Sequence, residues 1–248
     1  MKVIFHKDFH QSYVADPAAA TGRVEAVLKA IRGKAELVEA VPASPEDIAA
    51  VHTPSHIEEV RRERLYNIAA LAAGGAVQAA MTGLTEPCFA LIRPPGHHAS
   101  AGSAWGFCYF NNMAIAMEKL KREGLIEKAH ILDFDLHFGD GTVNILGGRG
   151  FVTIHNPSAA ERTKYLREVE EKLFTEKVDL IGVSAGFDNH LEDWGGLLAT
   201  EDYRKMGKMV RRAAREHGGG CFGILEGGYN HGVLGQNVLA FIEGMEEG

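Results

Sequence analysis

Cysteine is scarce in this chain, with only Cys88, Cys108 and Cys221 in 248 residues. They are odd in number, widely spaced and form no Cys-x-x-Cys pair. That argues against a disulfide framework and against a cysteine-ligated metal, and it fits the reducing cytoplasm. Long apolar runs are missing as well. None approaches the ~20 residues that cross a bilayer, so no membrane association is expected. The opening Met1-Lys2-Val3-Ile4-Phe5-His6-Lys7-Asp8 is too soon charged to read as a signal peptide. There is no basic tract. The formal net charge is −7 and the pI about 5.9, so electrostatics give no reason to bind nucleic acid. Internal repeats and low-complexity linkers are absent, and one domain over residues 1–248 is the simplest expectation.

What remains is an ordinary globular composition, 46% hydrophobic and 24% charged, long enough to bury one substantial core. Val24, Val27, Leu28 and Ile31 follow a helical period that Gly33 ends. Ser44-Pro45-Glu46-Asp47 reads as a capped helix start. An Ala-rich helix is expected from about Leu65 to Thr82, weakened by Gly74-Gly75. From there apolar runs alternate with helical patterns. The expected strands are 88–92, 130–134, 151–155, 180–184 and 222–225. Helices are expected around Met113–Leu120, Tyr165–Leu173, Tyr203–Val210 and Gly232–Met245. This alternation predicts an α/β fold with a mostly parallel sheet covered on both faces. Ligands of such folds bind at the carboxyl ends of the strands.

Four polar segments follow expected strands: Arg93-Pro94-Pro95-Gly96-His97-His98, Asp133-Phe134-Asp135-Leu136-His137-Phe138-Gly139-Asp140, Ser184-Ala185-Gly186-Phe187-Asp188 and Leu225-Glu226-Gly227-Gly228-Tyr229-Asn230. At period two, Asp133, Asp135 and His137 would share one face if their strand continued. Polar groups converging on an apolar strand end are costly unless paired or metal-bound. Each segment alone has an unremarkable explanation; together they hold an inventory. Asp135, His137 and Asp188 form a two-carboxylate, one-imidazole zinc set with room for water and substrate. Iron(II) or cobalt(II) suits the same donors. His97 and His98 supply a base or acid, and Tyr229 an O–H donor for a developing oxyanion. Those are the parts of a metal-assisted hydrolase.

The same residues resemble the histone deacetylase superfamily, which includes acetylpolyamine amidohydrolases and acetoin-utilisation proteins. The resemblance rests on Arg93–Ala99, Gly106-Phe107-Cys108-Tyr109-Phe110-Asn111-Asn112, Asp133–His137, Ser184–Asp188 and Glu226–Asn230, with Val51-His52-Thr53-Pro54 similar to the family's N-terminal helix region. It implies the three-layer α/β/α arginase/deacetylase fold and removal of an acetyl or other acyl group from an amine of a small molecule or peptide. By resemblance, Asp135, His137 and Asp188 bind zinc, and His98 is the general base with His97 its acid or electrostatic partner. Asp133 and Asp140 would hydrogen-bond His97 and His98 respectively. Tyr229 holds the oxyanion, Gly106 and Phe107 line the substrate tunnel, and Gly227 lies beside the substrate. Some members bind a monovalent cation, K+, which here would fall to Asp133, Asp135, His137, Thr153 and Ile154. Arg23 matches an internal-channel arginine.

This sequence also departs from the family. Phe138 replaces a frequent second histidine. The stretch after Val51–Pro54, which in members carries an acidic rim residue, is short, and so is the loop after His155. A shallower, more open site is expected, and a second subunit closing the rim is conceivable. Two rival readings stand beside the deacetylase. A two-metal ureohydrolase of the related arginase fold would need more bridging carboxylates. A non-catalytic protein binding metal or an acyl ligand would need none of the intact histidine pair or Tyr229.

Overall fold

The computed structural model describes residues 1–248. Its strands are β1 (Lys2–Phe5), β2 (Glu36–Glu39), β3 (Cys88–Ala90), β4 (Ala129–Asp133), β5 (Val152–His155), β6 (Leu180–Ala185) and β7 (Gly220–Leu225). All pair in parallel, in the order β2-β1-β3-β7-β6-β4-β5. Strands β3, β4, β6 and β7 are buried at every position, whereas the edge strand β2 is largely exposed. Fully buried strands need helices on both sides, and nine supply them: α1 (Arg23–Ile31), α2 (Pro45–Ala49), α3 (Pro54–Arg62), α4 (Tyr66–Gly83), α5 (Asn112–Arg122), α6 (Asp140–Leu146), α7 (Arg162–Leu173), α8 (Thr200–His217) and α9 (His231–Glu247).

Alternation along each strand divides the interior in two. Ile131, Phe222 and Ile224 join Ala72, Ala76 and Met113 of α4 and α5 in one core. Leu132, Cys221 and Leu225 join Val24, Tyr203, Val210 and Phe241 of α1, α8 and α9 in the other. The expected α/β/α layering is what the protein has. The elements that sequence periodicity did not announce are β1, β2, α3 and α6. Each is short or largely polar, and pairing or docking to the rest of the fold secures it.

The topology places the chemistry. Strands β3, β7, β6 and β4 are the four adjacent central strands. The four polar segments are the loops leaving their carboxyl ends, so residues far apart in sequence meet along one sheet edge.

Candidate metal centre and active site

One correction to the sequence reading concerns how Asp133, Asp135 and His137 converge. Strand β4 stops at Asp133, so the pleat does not carry all three to one face. Side chains turn the backbone instead. The Asp135 N–H donates to Asp133 Oδ1 at 3.2 Å, and the His137 N–H to Asp135 Oδ1 at 2.9 Å. Aspartate commonly binds the backbone two residues on in this way. The Asp188 loop closes the group, because Asp188 Oδ1 accepts the Leu136 N–H at 3.1 Å.

Asp135, His137 and Asp188 each present a ligand atom within 4.8 Å of the others. His137 Nδ1 lies 3.2 Å from Asp135 Oδ1 and 3.1 Å from Asp188 Oδ2. Both carboxylates are buried, and Asp188 Oδ2 has no partner with hydrogen-bonding geometry. Burial and the facing Asp135 push the Asp188 carboxyl up to about 6. The close Asp135 and Asp188 carboxylates hold His137 up at about 10. The cluster thus calls for positive charge at its centre, and its donors fit a divalent metal. Gly227 packs against it: its N–H donates to Asp135 Oδ2 at 2.8 Å, and a Cβ there would lie 2.5 Å from that oxygen.

The two histidines sit beside the trio as separate pairs. His97 Nδ1 lies 3.0 Å from Asp133 Oδ2, and His98 Nδ1 2.7 Å from Asp140 Oδ1. Both contacts are those expected from the sequence. Their electrostatics diverge. Burial disfavours charge on His97, but Asp133 and Asp135 overcome it and raise the ring well above its ordinary value. Burial and the neighbouring His97 push His98 down to about 4. Paired groups driven apart in this way suit an acid and a base. Glu226 fixes the loop that carries them. Its Oε2 accepts the Gly96 and His97 N–H groups at 2.7 and 3.3 Å, and burial pushes it up to about 7.

Tyr229 reaches the site from the β7 loop. Burial and Asp135 raise its phenol, so it stays an O–H donor at neutral pH. Arg23, fully buried on α1, donates to the Glu226 and Gly228 carbonyls and lies 5.5 Å from the Tyr229 ring centroid. Asp193 Oδ2 accepts the Tyr229 and Asn230 N–H groups at 2.8 and 2.7 Å. Phe107 meets the Tyr229 ring edge-on at 5.9 Å. Gly106 has φ +57°, and a Cβ there would lie 2.4 Å from His98 Cδ2. Thr153 and Ile154 stand level with His130 and Ile131, below the strand end, and Thr153 Oγ1 is taken up by His130 Nδ1 at 2.8 Å. Asn156, the residue after β5, accepts the Gly139 N–H on its Oδ1 at 2.8 Å.

Two tryptophans were not anticipated. Trp105 lies on His98, and Trp194 stacks on Tyr229 with ring centroids 4.1 Å apart. They remain 56% and 54% exposed. Only residues 156–161 separate β5 from α7, so the loop after β5 is short, as expected.

Comparison with known proteins shows the family. The histone deacetylase domain model matches residues 62–156 and 151–245. The chain belongs to the histone deacetylase family. A probable deacetylase of Archaeoglobus fulgidus is 34% identical, over 84% of this chain and 74% of its own length. One of Methanothermobacter thermautotrophicus is 30% identical, over 96% and 87%. That second alignment runs over 295 positions, more than the 248 residues available, so this deacetylase relative carries segments that the chain lacks. The crystal structure of the HDA15 HD domain shares the fold, with a TM-score of 0.83, 24% identity and coverage of 98% of this chain and 88% of that one.

Proposed function

We propose that the protein is a metal-dependent amidohydrolase that removes an acyl group, acetyl foremost, from an amine nitrogen. The observation that carries this reading is the convergence of three ligand atoms within 4.8 Å beside two histidine–aspartate pairs. Zinc suits the donors, as do iron(II) and cobalt(II). A metal held by Asp135, His137 and Asp188 would supply Lewis-acid polarisation of the amide carbonyl and a water of lowered pKa.

The chain's own groups do the rest. His98 has Nδ1 engaged by Asp140, so its Nε2 takes the proton of the attacking water. His97, held cationic by Asp133, delivers a proton to the leaving amine. The Tyr229 O–H donates to the carbonyl oxygen as negative charge grows there. Phe107 and the two tryptophans wall the approach and exclude part of the water. With so short a loop after β5, small acylated amines and acetyl-lysine both have access.

The test is hydrolysis of a fluorogenic acetyl-lysine amide and a panel of acylated amines by metal-reconstituted protein. His98→Ala and Tyr229→Phe are expected to lower kcat by about 10²–10³. Metal-loaded protein that turns over no acylated amine would defeat the proposal.

A further inference from the structure

Trp194 is more than half exposed, and its ring joins neither hydrophobic core. The cores therefore do not account for it. What the indole touches is the site. It stacks on Tyr229 with ring centroids 4.1 Å apart and 26° between the planes, and it meets the His137 imidazole edge-on at 6.0 Å. Phe107 meets the Tyr229 ring at 77° rather than face to face.

The loop beneath this indole is closed on itself. The Asp188 carbonyl accepts the Gly195 N–H at 2.8 Å, the Asn189 carbonyl accepts the Leu197 and Leu198 N–H groups at 3.1 and 2.9 Å, and the His190 carbonyl accepts those of Asp193 and Gly196 at 3.0 and 3.1 Å. Asp193 then joins this loop to the tyrosine. One of its oxygens, Oδ1, accepts the Trp194 N–H at 2.9 Å, while Oδ2 accepts the Tyr229 and Asn230 N–H groups.

Tyr229 itself follows Gly227-Gly228, with Gly228 at φ +112°, a stretch of high backbone freedom. Arg23 restrains that backbone through the Glu226 and Gly228 carbonyls, and Asp193 restrains it from the other side. Neither sets the rotation of the phenol about its side-chain torsions. A ring lying flat on one face of the phenol does, because turning the phenol toward that side drives it into the indole.

We propose that Trp194 is the positioning residue for the Tyr229 hydroxyl: anchored through Asp193 and stacked on the phenol, it holds the O–H where the substrate carbonyl oxygen gains charge. The proposal rests on the amidohydrolase reading for the reaction it serves. A donor of this kind works only when aimed in advance. The same indole touches His137, so the tyrosine is held in register with a side chain of the metal cluster.

The experiment is a double-mutant cycle on metal-reconstituted protein with the fluorogenic acetyl-lysine amide. Trp194→Ala should lower kcat about threefold to tenfold, the population shift that an aromatic pair sustains, with KM near wild type. Trp194→Phe should recover most of the loss. In a Tyr229→Phe background Trp194→Ala should cost nothing further, because the hydroxyl that it positions is gone. An equal loss in both backgrounds, or a rise in KM at constant kcat, overturns the proposal. Circular dichroism and metal content check that each variant folds and loads. A second arm needs no turnover. The chain has two tryptophans, so Trp105→Phe leaves Trp194 the only indole. Adding Tyr229→Leu should abolish its near-ultraviolet dichroic band and raise its quenching by acrylamide. That result with no hydrolysis of any acylated amine upholds the stack while the amidohydrolase reading alone fails. Trp194 signals indifferent to Tyr229 overturn the positioning role.

Discussion

The indole of Trp105 lies on the imidazole of His98, with ring centroids 3.9 Å apart and 32° between the planes. The same indole donates its Nε1–H to Asp140 Oδ2 at 2.9 Å, while Asp140 Oδ1 engages His98 Nδ1. Trp105 therefore holds both members of one pair. Trp105→Phe keeps a ring over His98 but loses the donor, and should lower kcat by roughly threefold to tenfold. Trp105→Ala loses both and should cost about 10–100-fold, the range for a hydrogen bond to a charged group. KM for a small acetylated amine should stay near wild type. Steady-state kinetics separate the two; a rise in KM at constant kcat would mean that Trp105 serves binding instead.

The opposite displacements of His97 and His98 fix the shape of the pH profile. His98 must be neutral to accept a proton, and its value is depressed to about 4. Activity is therefore lost as pH falls through that value. His97 must be protonated to donate, and its value is raised, so activity is lost as pH rises through it. Together these give a bell-shaped kcat/KM. Asp140 is one of the groups that raise His98. Asp140→Asn should move the acid limb to lower pH while reducing kcat. A limb that moves upward would contradict the assignment of His98 as base.

Removing metal should be visible in stability as well as activity. The facing carboxylates Asp135 and Asp188 are buried and close to His137. A cation bound at about 100 times its Kd adds ~2.7 kcal/mol, or roughly 5–10 °C in Tm for a chain of this size. Chelation followed by calorimetry should show that drop, and zinc, iron(II) or cobalt(II) should restore it. Asp188→Ala should lose both the metal and the chelator-sensitive shift.

The residues that sequence alone brought together are those on loops leaving adjacent parallel strands. Asp135, His137, Asp188, His97, His98 and Tyr229 share one sheet edge because strand order makes them neighbours, and strand periodicity announces where each loop begins. What escaped the sequence reading acts through contacts with no local signature. Asp193 supports the Tyr229 turn from 36 residues away, and Trp105 meets Asp140 across 35. Strand β2, Glu36-Leu37-Val38-Glu39, is an edge strand whose side chains mostly face solvent. It has no apolar run to betray it. Helix α3 does carry a start signal, since Thr53 caps it and Pro54 opens it, but its surface is too polar for a clear helical period.

Gly74 reverses a simple propensity argument. In sequence, Gly74-Gly75 weakens an Ala-rich helix, and Gly→Ala in a helix interior gains about 0.8–1.0 kcal/mol. In the structure the connector after β2 lies directly across α4. The Ala43 N–H donates to the Ala70 carbonyl at 2.8 Å, and the Val41 N–H to Gln78 Oε1 at 2.7 Å. A Cβ on Gly74 would lie 1.9 Å from the Val41 carbonyl oxygen and 2.4 Å from Ala43 N. Those atoms are backbone and cannot swing away. Gly74→Ala should therefore destabilise, by about 1–3 kcal/mol for overpacking, despite its better propensity. At Gly75 the nearest atom is a side-chain methyl, Ile92 Cγ2 at 2.7 Å, which can give, so Gly75→Ala should cost less. Urea midpoints of the two variants decide the matter. Equal or raised stability for Gly74→Ala would mean that the connector does not rest on the helix as closely as these distances require.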